Sequence, residues 1–86
     1  MYIYADFNNR DASGYLRLNN NGTVDDLFAA GISLVEGMKL TVSDGDLVAE
    51  IIVHMPGGEL VWRGEVVGEI SEVEEFPSGR ANGDGG

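Results

Sequence analysis

The chain has 86 residues, no cysteine, one histidine, and fifteen acidic against five basic side chains, for a formal net charge of −10. A chain of this length builds one small core that buries about 60% of the unfolded surface, and without thiols it has neither disulfides nor thiolate metal sites to support that core. The acidic balance repels phosphate backbones and argues against direct nucleic-acid binding.

The acids are unevenly spread. Residues 44–76 carry nine of them against Arg63 alone. The start, "MYIYADFNN", has no basic stretch before an apolar run, so a signal peptide is not expected. No segment reaches the roughly 20 apolar residues of a membrane span. The expected setting is the cytoplasm, without membrane contact.

Tyr2 to Phe7 is aromatic and β-branched and reads as a strand. "GYLRLN" alternates, with Leu16 and Leu18 on one face. The two strands are expected to form a hairpin, with Asn8 to Gly14 as its loop. In "TVDDLFAAG", Thr23 and Asp26 stand at capping-box spacing, with Asp in place of Glu. This predicts a short helix with Val24, Leu27 and Phe28 on its packed face and Gly31 at its end.

"MKLTVSDGDLVAEIIV" predicts a hairpin turning at Asp44-Gly45, with Gly45 at positive φ. That register sets Val42 against Leu47, Leu40 against Ala49 and Lys39 against Glu50. A second turn at Gly57-Gly58 sets Val53 against Trp62 and Ala49 against Val66, and brings Glu50 near Glu65. The outer face then carries Val48, Ile52, Val61 and Val67, which need cover from the helix, the first hairpin or a partner. Trp62 reads as a core anchor. Gly68 breaks the pattern, and "EISEVEEF" continues as a short strand or a 3₁₀ turn.

"PSGRANGDGG" has four glycines in ten positions and reads as a disordered tail. The expected organisation is a single domain over 1–76 and a tail over 77–86. The fold class is mainly β: a small antiparallel SH3-like barrel of five to six short strands with one short helix. The alternative is a β-grasp-like α+β fold, whose helix lies across the sheet.

Motifs with chemistry are sparse. His54 reads as a partly exposed strand residue with no orienting group beside it. Asp44 and Asp46 begin like a calcium loop, but Val48 and Met55 stand where ligands belong. The serines lie in no nucleophile elbow, and the glycines open no phosphate loop. The sequence therefore predicts no enzyme, no cofactor and no metal.

The expected function is that of a small acidic, non-catalytic protein-binding module whose partner has a basic surface. Its expected contact residues are Val61, Arg63, Glu65, Glu69 and Glu72. Two alternatives remain beside it. One is a DNA-mimic inhibitor of a nucleic-acid-binding protein, with carboxylates in place of phosphates. The other is a ubiquitin-like modifier using the terminal Gly85-Gly86.

Overall fold

The computed structural model of the chain describes residues 2–73. Its elements are β1 (Ile3–Tyr4), β2 (Leu16–Arg17), α1 (Asn21–Ala30), β3 (Lys39–Ser43), β4 (Leu47–His54) and β5 (Arg63–Glu72). The five strands form one sheet in the order β1-β3-β4-β5-β2. It is a mixed sheet curled into a half-barrel, mainly β and compatible with a small SH3-like barrel. Helix α1 packs on β1 alone and does not lie across the sheet as the β-grasp alternative requires. Among the described residues no helix is long and apolar enough to cross a membrane. The expected tail and the domain boundary at residue 76 lie outside the described residues, as do Glu74 and Glu75.

The expected hairpin between the first two strands does not form. β1 runs parallel to β3, with Ile3 beside Val42, and β2 runs antiparallel to β5 at the opposite edge. The intervening loop closes on itself instead. Arg10 bridges Leu16, Asp11 N–H donates to the Tyr15 carbonyl at 2.8 Å and Arg17 N–H to that of Asn9 at 2.8 Å. The Asp11 carboxylate accepts from the N–H groups of Ser13 and Tyr15. This side chain fixes the tight turn, so Asn9 to Asp11 occupy β2 and leave β1 to pair elsewhere.

The β3–β4 hairpin forms, but two residues out of the expected register. Val42 faces Ala49, Leu40 faces Ile51, and Lys39 faces Ile52 instead of Glu50. Side chains in the turn set this. Ser43 Oγ accepts from Gly45 N–H, and Asp44 Oδ1 accepts from the N–H groups of Asp46 and Leu47. The connection therefore needs Asp44 to Leu47, with Gly45 at φ 105°. Because the slip is an even number of residues, every side chain keeps its face. Leu40, Val42, Ala49, Ile51 and Val53 still line the core with Ile3, Ala5, Phe7, Leu16, Leu18 and Leu27.

The β4–β5 connection slips the same way. Pairing closes at His54 and Arg63, so Met55 to Trp62 form a loop in place of the expected Gly57-Gly58 turn. Gly64 takes the place opposite Val53 that Trp62 was expected to fill. A Cβ at Gly64 would lie 2.5 Å from Ile51 Cδ1 and 3.3 Å from Ile51 Cβ, so glycine lets the two strands close here without displacing that core side chain. Trp62 stays half-buried against the core. Glu50 now faces Val67, and Glu65 faces Ile52, which separates two acids expected to be neighbours.

Gly68 interrupts β5 without ending it. Glu50 pairs with Val67 but Val48 with Ser71, so Gly68 to Ile70 stand opposite Ala49 alone. Gly68 has φ 76°, which makes this a glycine-initiated bulge. The strand resumes and continues to Glu72.

The helix begins earlier than expected. Asn20 is the N-cap, in extended geometry and without a side-chain cap bond, and Gly31 ends the helix at φ 70°. Thr23 and Asp26 do not cap their own helix. Thr23 Oγ1 donates to the Tyr4 carbonyl at 2.6 Å, and Tyr4 N–H donates to Asp26 Oδ2 at 2.8 Å. Holding β1 in this way turns Thr23 and Leu27 inward and the other stripe outward. Val24 is 52% exposed and Phe28 88%, against their expected burial.

Candidate functional site

Antiparallel pairing puts His54 directly opposite Arg63 on the outer face of the sheet, with Glu65 on the diagonal. Tyr15, which precedes β2, lies over both. Its ring stacks on His54 with centroids 5.0 Å apart and planes 13° apart. The Arg63 guanidinium carbon is 5.3 Å from the same ring's centroid, within cation–π range.

Carboxylates hold both ring nitrogens of His54. Nδ1 lies 3.1 Å from Glu36 Oε2, and Nε2 lies 2.8 Å from Glu65 Oε1. A neutral imidazole has one N–H, so only the doubly protonated ring donates to both partners at once. Glu36 also fixes the backbone, since its Oε1 accepts from Met55 N–H at 2.7 Å. That bond holds the Glu36 carboxyl below its ordinary range; partial burial opposes the shift and the His54 and Arg63 charges add to it. The cluster ties the segment before β3 to the end of β4 and to β5. The expectation that His54 has no orienting group is thereby corrected: Glu36 and Glu65 both orient it. Each ring nitrogen thus faces a carboxylate of the chain itself.

Arg63 closes the other side of the cluster. Its Nη2 donates to the Met55 carbonyl at 3.0 Å, its Nη1 lies 3.8 Å from Asp11 Oδ2, and its buried Nε has no partner among the described residues. A hollow of about 190 Å³ lies beside it, lined by Asp11, Ala12, Ser13, Gly58, Glu59 and Arg63. Arg17 grips Glu59 through two bonds of 2.8 and 2.9 Å. That pairing raises Arg17 above its ordinary value and lowers Glu59. A second hollow, of about 370 Å³, lies at the far end beside Gly45, Asp46, Leu47, Glu72 and Val73. Among the described residues no three His, Cys, Asp or Glu side chains converge as a metal site.

The loop between β4 and β5 presents apolar side chains to solvent. Leu60 has φ 61°, in the left-handed region, and is 84% exposed. Its N–H donates to the Gly57 carbonyl at 3.0 Å. Met55, at the other end of the loop, is 54% exposed.

The five expected contact residues fall into two groups. Val61, Arg63 and Glu65 lie at the His54 end, where Val61 is half-buried and the other two are tied into the cluster. Glu69 and Glu72 are exposed beyond the Gly68 bulge. The sequence singles out none of Tyr15, Glu36 and Leu60, and it places His54 on a strand, partly exposed as found, without giving it a functional role. The diagonal between His54 and Glu65 was the only local signal for the cluster, and it appears only in the correct register. The helix leaves the outer-face residues Val48, Ile52 and Val67 uncovered, and all three are half-buried. Comparison of the chain with family models, curated proteins and solved structures gives no match.

Proposed function

We propose that the chain is a small acidic, non-catalytic protein-binding module of the cytoplasm, whose contact surface is centred on the β4–β5 loop and β5. The observation that carries this reading is Leu60. A branched side chain at positive φ costs on the order of 1–3 kcal/mol, and such strain persists where the surroundings enforce it for a use. Leu60 recovers nothing from the core, being 84% exposed. Its side chain is open to a partner's apolar pocket, as is that of Met55, 54% exposed in the same loop. The engaged nitrogens of His54 support the non-catalytic part.

The test uses Leu60→Gly, which removes the side chain and relieves the backbone strain. Melting temperature is expected to hold or rise, while proteins recovered on the tagged chain from lysate are lost. Undiminished recovery by a Leu60→Gly/Met55→Ser variant would overturn the reading.

A further inference from the structure

We propose that the open edge of β5, from Glu65 to Glu72, takes up an extended basic segment of a partner protein as an added β-strand. This rests on the protein-binding reading and specifies its mode and the partner's chemistry. β2 pairs only with Arg63 and Gly64, whereas β5 runs on to Glu72. Among the described residues, nothing but β4 pairs with that run.

The direction of the free backbone groups follows from the ladder. Leu18 N–H donates to the Trp62 carbonyl at 2.9 Å, so Trp62 turns its polar groups toward β2. Antiparallel alternation gives Gly64 and Val66 the same direction. Gly64 meets Leu16. Val66 comes next, where β2 has ended, and its N–H and carbonyl point past the last covered position. An edge of this kind is a template for strand addition.

Charge selects the occupant. Glu69 and Glu72 are exposed along the run, Glu65 is shared with His54, and the neighbouring cation, Arg63, is engaged by Met55, Asp11 and Tyr15. A second copy would bring the same acids and a net charge of −10, so self-pairing is opposed by repulsion. Basic side chains of such a segment meet exposed Glu69 and Glu72, and apolar ones can contact half-buried Val67 and the 39% exposed Ile70.

The test titrates the isotope-labelled full chain with a capped eight-residue peptide of alternating Lys and Val. Two control peptides are used: the Glu-Val counterpart, and the Lys-Val peptide N-methylated at alternate residues, which keeps its charge but cannot pair along one edge. Saturation with the first peptide is expected to slow amide exchange at Val66 by tenfold or more. The N-methylated peptide should bind at least tenfold more weakly, and the Glu-Val peptide not at all. Equal binding of the N-methylated peptide, or unchanged exchange at Val66, would overturn the proposal. Slow exchange in the free chain that is lost on removing residues 74–86 would also overturn it, because the edge would then be filled from within. Loss of lysate partners by the Leu60→Gly variant, together with a failed titration, sinks strand addition alone and leaves the binding module standing.

Discussion

The two edges of the sheet are protected by different means. At β1 the outward polar groups of Tyr4 are satisfied by the helix: Thr23 donates to its carbonyl and Asp26 accepts from its N–H. The neighbouring Ala5 N–H turns the other way, to the Ser43 carbonyl. At β5, beyond Gly64, no described residue hydrogen-bonds the outer side, and what stands there is a bulge and a row of carboxylates. Hydrogen bonds close an edge to every comer, whereas charge closes it only to strands of the same sign. The first edge is closed by hydrogen bonds, and the second is guarded by charge alone.

The largest expected effect breaks the closed edge. Thr23 is fully buried, so Thr23→Val leaves the Tyr4 carbonyl without its donor, at about 1–3 kcal/mol. A urea melt should show that loss, while Glu69→Gln at the open edge should stay within about 0.5 kcal/mol of the parent. Equal effects at the two sites would erase the distinction.

A smaller effect is expected at the bulge. Nothing lies within 4 Å of a Cβ built on Gly68, so Gly68→Ala isolates the conformational cost of φ 76°, about 1–2 kcal/mol. A neutral result in thermal melts would mean that β5 straightens and the open edge carries no bulge.

The mildest perturbation is acid. Glu36 is held below its ordinary value first by Met55 N–H, Asp44 by the N–H groups of Leu47 and Asp46, and Glu59 by Arg17. Each folded value lies below the unfolded one, so the stability these groups contribute is complete above the unfolded value. It is lost as pH falls through the folded value. Melting temperature should fall below about pH 4.3, the ordinary glutamate value. Glu36→Gln should flatten part of that fall. An unchanged acid limb in that variant would mean that the His54 cluster contributes nothing to it.

The faces of the central strands were legible in the sequence, because alternation fixes parity and both register errors were even. Leu40, Val42, Ala49 and Ile51 went to the core in either register. The register itself was not legible. It depends on side-chain bonds inside the turn at Asp44 and on the close approach of Gly64 to Ile51, and neither leaves a periodic trace. Thr23 and Asp26 were found as a pair for the right local reason, their spacing on a helix, but assigned the wrong client. The backbone they serve belongs to Tyr4, which only tertiary structure brings near. The His54 cluster was hidden for the same reason, its members lying in four separate segments.

The parallel pairing of Ile3 with Val42 also constrains the order of assembly. During synthesis β1 leaves the ribosome first, yet its partner strand is made much later. The meander from β3 to β5 closes through neighbouring segments, and such local contacts form fast, whereas a crossover that spans the helix must wait and carries a larger loop-closure cost. By this measure the amino-terminal segment that carries β1 and β2 is expected to dock after the meander, since Leu16 also pairs across a long separation, with Gly64. Until it does, the nascent chain has two bare strand edges instead of one.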